Sequence, residues 1–444
     1  MARSVGGNAA YTLVAQVGST ILGLSTSIIT ARVLGPSARG IFTLVTTLPH
    51  TLSAMVKLGL AQGAVYAIRK NKVAPSKVAS HLAITAVGLS GPVVLGAIFF
   101  REQMASGFMK GAEPIYLILG LPLVPLLLIE SYFYAVLQGL EYFRLANHRV
   151  IVSSLLAPST MFIALVLCGG GLRAAILTNL ALVVAMDVWL IATVFSLAPF
   201  RWQWDWRFAE QMLKFGVKSH LQILAQHLHM RIDVYIIAAF LTPADVAFYA
   251  IATRLAELVF NVPESLGMVV YPRQAGSSKQ RVEDLTATAC RHTIFVTSVA
   301  AVGLVTIGPW LIRLWYGAAY APVAAPLPYL VVGVIMMSVF FMFTRNFTSQ
   351  NRQEVNLLSS VVALGGNFGL NIVLVPRMGI AGAGLSSAIS YSLGAAILAS
   401  IYFRESGKRV RDVVVLQRSD VAEYRRLVQS AASRWLPKSA TGPA

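Results

Sequence analysis

The sequence predicts an all-α, polytopic membrane protein with about twelve transmembrane helices in two pseudo-symmetric six-helix bundles. The first observation is composition: 56% of the 444 residues are hydrophobic, 12% are charged, and the mean hydropathy is +0.68. The second is the length of the apolar runs, since a helix needs roughly 20 apolar residues to cross a hydrocarbon core of about 30 Å. The third is an internal repeat. Together these observations exclude most soluble enzymes and nucleic-acid-binding proteins.

Twelve apolar runs follow one another along the chain with short polar breaks. We place the spans at 8–30, 40–66, 81–100, 115–137, 150–168, 174–197, 219–240, 244–268, 293–312, 324–344, 355–375 and 379–402. About 26 of the 36 Lys and Arg residues then fall on the side of the two termini and about 7 on the other. Lys and Arg concentrate in cytoplasmic loops, so we expect both termini in the cytoplasm. The same rule explains the net charge of +18 without nucleic acid.

The repeat relates the two halves of the chain at an offset of about 207 residues. Residues 33–52 align with 240–259, which places Pro36 on Pro243, and a second match at an offset of 208 places Gly171 on Gly379. Parallel repeats of this kind are related by an axis along the membrane normal, with substrate sites near mid-membrane between the repeats. We therefore expect a central cavity between two lobes.

This repeat divides the chain into four predicted regions. They are an N-terminal six-helix lobe (1–198), a cytoplasmic interfacial connector (199–218), a C-terminal six-helix lobe (219–403) and a cytoplasmic basic amphipathic tail (404–444). Tryptophans at 202, 204 and 206 suit a connector helix at the membrane surface. In the tail, an apolar stripe that includes Val421 and Leu427 suits a lipid surface or a partner, and a dispensable tail is an open alternative.

Polar residues share one face on each of two equivalent spans. On the eighth span they are Arg254, Glu257, Asn261 and Glu264, and on the second span Thr43, Thr46, His50 and Lys57. Ionisable groups in a membrane are costly and usually face a cavity or a partner. We predict that Lys57, His50, Arg254, Glu257, Asn261 and Glu264 line the central cavity. A structural ion pair between Arg254 and Glu257 is the alternative.

The seventh span carries ionisable residues on two faces. His227 lies with Arg231 on one face, and His229 and Asp233 lie on the other. We predict that Arg231 lines the cavity and that His227, His229 and Asp233 are candidates for proton or ion coupling. The alternative for His229 and Asp233 is a helix-packing pair.

Glu130 on the fourth span and Asp187 on the sixth are further acidic residues within apolar runs. They are as consistent with packing as with function. The sequence contains no GxxxxGK[ST] loop, which argues against ATP hydrolysis by this chain, and its two cysteines have no zinc-ligand spacing. We expect no cofactor, no metal and no catalytic residues.

Several segments resemble the bacterial oligosaccharide-lipid flippases of polysaccharide biosynthesis. They are ITARVLGPSARGIFTL at 29–44, KLGLAQG at 57–63, MRIDVYIIAAFLTPADVAFYAIATRLAE at 230–257 and NFGLNIVLVPRMGIAGAGLSSAISY at 367–391. That family belongs to the multidrug/oligosaccharidyl-lipid/polysaccharide exporter superfamily, and the resemblance implies twelve helices, a central cavity and alternating access. It also implies an inner-membrane protein that moves undecaprenyl-pyrophosphate-linked sugars to the outer leaflet.

The resemblance sets the expected partners and leaves two other classes open. Expected partners are the lipid-linked glycan, membrane lipids and a polysaccharide polymerase or other biosynthesis protein. Lys57, Arg231 and Arg254 are the Lys and Arg residues placed inside predicted spans, and a pyrophosphate leaving water needs such cations. A multidrug exporter of the same superfamily is the first alternative. A membrane glycan polymerase or ligase is the second, although no predicted outer loop is large enough to suit one.

Overall fold

A computed structural model describes residues 5–108, 112–202, 204–274, 277–417 and 420, and within these residues every regular element is helical. Side chains of 5–17, 108, 218–219 and 261–274 are outside this description. The first half contains α1 (Val5–Val56), α2 (Leu60–Arg69), α3 (Pro75–Phe99), α4 (Arg101–Phe108), α5 (Pro114–Gly120), α6 (Leu123–Gly139), α7 (Phe143–Phe162), a π-helical turn (Ile163–Leu167) and α8 (Leu172–Leu197).

The second half repeats this helical pattern. It contains α9 (Trp206–Phe240), α10 (Pro243–Gln274), α11 (Lys279–Tyr316), a 3₁₀ segment (Ala318–Ala324), α12 (Leu327–Ser349), α13 (Gln353–Met378), α14 (Ile380–Ser406) and the short α15 (Val410–Val414). The repeat found in the sequence marks equivalent helix starts. Pro243 begins α10, Pro36 follows the break at Gly35 inside α1, and Gly171 and Gly379 precede α8 and α14.

The predicted multi-pass membrane architecture is confirmed. Nine helical segments of the described chain are long and apolar enough to cross a membrane. The first of them joins two predicted spans, because Gly35 has φ 74° and ψ 171° and interrupts α1. The helices α9 and α10 are not among the nine, and they carry Arg231, Arg254 and Glu257 of the predicted site. Each of the twelve predicted spans overlaps at least one helix of the described chain, and the span predicted at 40–66 is interrupted between Val56 of α1 and Leu60 of α2.

One apolar core joins the two halves at the end of the molecule that holds Gly35, which we call the Gly35 end. It combines Phe42 and Val45 of α1 with Tyr249 of α10 and Ile312 of α11. A Cβ atom added at Gly40 would collide with the carbonyl group of Pro243, so only glycine allows this backbone contact. The Gly35 end is therefore tightly closed.

At the opposite end, each half has its own core. One includes Leu128 and Phe133 of α6, and the other includes Phe343 of α12 and Leu398 of α14. The first turns of α9 pack on the first of these cores, where Phe208 is buried. The two halves are therefore joined at the Gly35 end and separate at the opposite end, apart from the passage of α9.

The connector predicted over 199–218 is not a separate helix. From Trp206 its residues form the first turns of α9, which continues without interruption to Phe240. Asp205 caps this helix by accepting a hydrogen bond from the backbone N–H of Phe208 at 3.1 Å. The predicted lobe boundaries remain a proposal, and α9 runs through the one placed at 218.

The start of the predicted tail is part of the fold. Val413 of α15 is buried, and Arg291 of α11 donates a hydrogen bond to Asp420 at 2.9 Å. Burial acts to raise the pKa of Asp420, but the bonds from Arg291 and from the backbone of Gln417 hold it below its ordinary value. The stripe predicted beyond residue 420 lies outside the described residues.

Candidate functional site

The helix α9 positions most of the candidate site, because it crosses from one half of the molecule to the other. Near its start, the backbone of Gly216 lies against that of Gly59, and a Cβ atom on either residue would collide with the other. The ring of Phe215 stacks on Tyr66 with centroids 4.1 Å apart. Towards its end, Asp233 bonds to Asn371 of α13. Residues in the middle of α9 therefore face the space between the halves.

A polar hollow of about 290 Å³ lies between α9 and α10. Glu257 is placed between two guanidinium groups, with its oxygens 3.5 Å from Arg231 and 3.6 Å from Arg254. Both distances exceed the 2.7–2.9 Å of a close charge-assisted bond. Arg231 and Arg254 are 36% and 43% exposed, so their donors are accessible from the hollow. Two cations beside one carboxylate make the hollow positive.

A second cluster on α1 extends this positive region. His50 is exposed, and Lys57 lies in the short non-helical junction between α1 and α2. Glu130, Lys57 and Arg231 are close enough to His50 to interact with it electrostatically. His227 interacts in the same way with Arg231, His50 and Lys57, and its Nε2 lies 3.4 Å from the hydroxyl of Thr51. The structure thus brings the predicted cations of both halves into one cluster.

Two predicted cavity residues are described only by their backbone. Asn261 and Glu264 lie in α10, but their side chains are outside the described part of the chain. Their assignment to the cavity stays a prediction.

His229 and Asp233 face the interior of the second half. His229 Nε2 lies 2.9 Å from the hydroxyl of Ser390. Asp233 accepts bonds from Tyr249 at 2.6 Å, from Ser387 at 2.6 Å and from Asn371 at 2.7 Å. These hydrogen-bond partners are two hydroxyls and an amide, the amide of Asn367 also interacts with the carboxylate, and Asp233 is 3% exposed. Asp233 is therefore a buried carboxylate held by neutral donors.

A buried ion-pair network in the first half was missed by the sequence analysis. Arg149 of α7 contacts Glu130 of α6 at 2.5 Å and Asp187 of α8 at 2.7 Å. Arg149 is 6% exposed and Asp187 0%. Glu130 is 35% exposed and interacts with His50, so the network reaches the positive cluster. The signal in the sequence that could have indicated this network is Arg149 itself, a cation that lies one residue before the predicted span at 150–168.

The model of the polysaccharide biosynthesis protein family matches residues 29–325, well over half of the chain. The chain belongs to this family. A curated relative, the probable low-salt glycan biosynthesis flippase Agl15 of Haloferax volcanii, is 21% identical over 369 residues, covering 82% of this chain and 76% of the relative. The name of this relative describes a flippase, which is a membrane transporter.

Solved structures show the same fold. The lipid II flippase MurJ in an inward closed conformation aligns with a TM-score of 0.78 at 16% identity, covering 96% of this chain and 93% of that one. A multidrug resistance MATE family transporter of the MOP superfamily aligns in its inward-facing conformation with a TM-score of 0.74 at 15% identity, covering 88% and 94%. A MATE family transporter of the same superfamily in an outward-facing conformation gives a TM-score of 0.65 at 15% identity, covering 90% of this chain and 94% of that one. The fold of this polysaccharide biosynthesis protein is that of the MOP-superfamily transporters.

Proposed function

We propose that this protein flips an undecaprenyl-pyrophosphate-linked oligosaccharide, such as a polysaccharide or O-antigen-type repeat unit, from the cytoplasmic to the outer leaflet by alternating access. The observation that carries the proposal is the positive cluster between the halves, formed by Lys57, Arg231 and Arg254, with His50 beside them. A pyrophosphate that leaves water needs charge-assisted hydrogen bonds, and guanidinium groups supply them in matching geometry. Membership of the polysaccharide biosynthesis family supports a sugar-bearing cargo.

The conformation fits one step of such a cycle. With both termini in the cytoplasm, the Gly35 end lies at the outer surface, so the halves are closed outside and separate inside. The better alignment with the inward-facing than with the outward-facing transporter supports this orientation. The cluster then faces the leaflet in which a lipid-linked sugar is built.

The membrane potential is a sufficient driving force for an anionic cargo. Moving one charge across 100 mV releases about 2.3 kcal/mol, so two pyrophosphate charges moving outward release roughly 5 kcal/mol. Ion coupling would add to this through His227, His229 or Asp233. Among these, we favour Asp233, because a buried carboxylate with neutral hydrogen-bond partners is the group that binding of a proton or a small cation would stabilise most.

A multidrug exporter of the same superfamily is the second candidate, and the MATE transporters support it only through the fold. An organic cation would be repelled by a cluster of two arginines and a lysine. The cluster therefore favours an anionic substrate.

The test is flipping of a fluorescent lipid-linked oligosaccharide by the purified protein in vesicles, with and without an imposed potential. Arg231→Ala, Arg254→Ala and Lys57→Ala should each reduce the rate about tenfold or more, since a hydrogen bond to a charged group contributes about 1.5–3 kcal/mol. Arg173→Ala, at an exposed arginine of α8, is the matched control. Asp233→Asn should abolish any acceleration by a pH or sodium gradient while leaving acceleration by the potential. Normal rates in all three cavity variants would refute the site.

A further inference from the structure

A second cavity lies on the other side of α9 from the polar hollow, and it is apolar. Its volume is about 550 Å³, and it is enclosed by α1, α9 and α13, with α4 and α5 at one end. Side chains that line it include Leu48, Met55, Ile232, Ile236, Phe368 and Ile372. Among the described side chains that line the cavity, Thr51 and Tyr235 are the two with hydroxyl groups. The hydroxyl of Tyr235 donates a hydrogen bond to that of Thr51 at 2.7 Å.

Water cannot fill such a cavity favourably. A buried water molecule needs two to four polar partners, and an empty apolar space of this size forfeits the packing contacts of every side chain around it. The cavity is therefore suited to an apolar occupant and not to water.

The occupant can enter from the hydrocarbon part of the membrane. Phe240, Phe368 and Ile372 line the cavity and are nevertheless 49%, 47% and 43% exposed. These residues lie on predicted spans, so the surface they share with the cavity faces lipid chains.

The position of the cavity indicates which lipid it holds. Arg231 lines the polar hollow, and the next residue, Ile232, lines the apolar cavity. The two spaces are thus separated by the width of one helix, about 10 Å. The bonds of Thr51 to Tyr235 and His227 join α1 to α9 at the boundary between them.

We propose that this apolar cavity binds the isoprenoid chain of the lipid-linked substrate while the pyrophosphate lies against Arg231 and Arg254. The assignment rests on the proposed function, since it takes the chain and the anionic headgroup to belong to one molecule. Holding the first part of the chain beside α9 fixes the headgroup at the positive cluster, so chain length becomes a determinant of transport.

Two measurements test the assignment. The first is photocrosslinking of the unmodified protein in phospholipid vesicles with an undecaprenyl diphosphate that carries a diazirine on its early isoprene units. We expect labelled peptides to contain Leu48, Ile232 or Ile372, and we expect excess undecaprenyl diphosphate, but not excess phospholipid, to remove the label. Labelling confined to other membrane-facing surfaces, or equal removal by phospholipid, would overturn the assignment.

The second measurement compares transport of substrates with eleven and three isoprene units. Ala239→Trp and Leu48→Trp, which fill the cavity, should reduce transport of the long-chain substrate about tenfold and leave the short-chain rate near that of the parent. Ile223→Trp, at an exposed position of α9, is the matched control. Unchanged chain-length preference in both cavity variants would contradict the assignment. If the parent protein moves neither substrate, the proposed function fails, and the crosslinking result still reports on the cavity.

Discussion

Replacement of Arg149 by methionine tests the buried network of the first half. In the folded protein, Arg149 forms ion pairs with Glu130 at 2.5 Å and Asp187 at 2.7 Å. Glu130 is 35% exposed and keeps much of its hydration without the arginine. Asp187 is fully buried, and one of its oxygens already lacks a hydrogen-bond partner. Arg149→Met therefore leaves Asp187 as an uncompensated buried charge.

The expected cost follows from this geometry. Breaking a buried ion pair by removing one partner costs about 3–5 kcal/mol, and we take the lower limit because Glu130 is partly exposed. About 3 kcal/mol corresponds to roughly a 150-fold change in the unfolding equilibrium. For a protein of this size, we expect the melting temperature in detergent to fall by about 5 °C.

A double variant separates the orphaned charge from lost packing. Arg149→Met with Asp187→Leu removes both charges, and apolar replacement of a buried pair is often neutral or stabilising. We expect it to recover most of the lost melting temperature, measured by the temperature dependence of the monodisperse peak in size-exclusion chromatography. An unchanged melting temperature in Arg149→Met, or a double variant that is less stable than either single variant, would refute the reasoning.

Two further predictions concern the ends of the molecule. Gly40→Ala should prevent closure of the Gly35 end. A cysteine that replaces the buried Ala31 should then react several-fold faster with a thiol reagent. The control is Gly88→Ala, where a Cβ atom meets nothing within 4 Å, and it should leave the reaction rate unchanged. Asp205→Asn tests a charge at the opposite end. The hydrogen bond from Lys77 holds the pKa of Asp205 below its ordinary value of 3.8. The ionised carboxylate therefore stabilises the fold above pH 3.8, and this stabilisation is lost as the pH falls through the folded-state pKa. Asn caps helices as well as Asp does, so the melting temperature should fall at pH 7 and the difference should disappear under acid conditions; equal melting temperatures at neutral pH would contradict this prediction.

The features that the sequence predicted correctly are local ones. Apolar runs mark the spans, and the prolines and glycines of the repeat mark helix starts, because Pro lacks a backbone N–H and Gly permits unusual dihedral angles. Pro36 and Pro243, and Gly171 and Gly379, show this directly. Helical periodicity also placed Arg254 and Glu257 on one face, and they do lie beside each other in the hollow.

The features that the sequence did not predict depend on which faces of different helices pack against each other. Arg149 pairs with residues 19 and 38 positions away on two other helices, and periodicity within α7 contains no trace of either contact. The partners of Asp233 on α13 and α14 are 138 and 154 positions away. The sequence placed His229 and Asp233 on one face of α9, but it left open whether that face met the cavity or the interior of the second half.

The contacts at the Gly35 end and those of α9 indicate which parts of the protein separate during alternating access. At the Gly35 end, the two halves are joined by hydrogen bonds to backbone carbonyls, from Tyr320 to Ala31 at 2.7 Å and from Arg32 to Trp315 at 2.7 Å. A neutral bond of the first kind contributes only about 0.5–1.5 kcal/mol net, and the exposed Arg32 can exchange its partner for water. Asp233, by contrast, is buried within the second half, and breaking its bonds would leave a charge without partners. The end of α9 should therefore move with the second half while the bonds at the Gly35 end break.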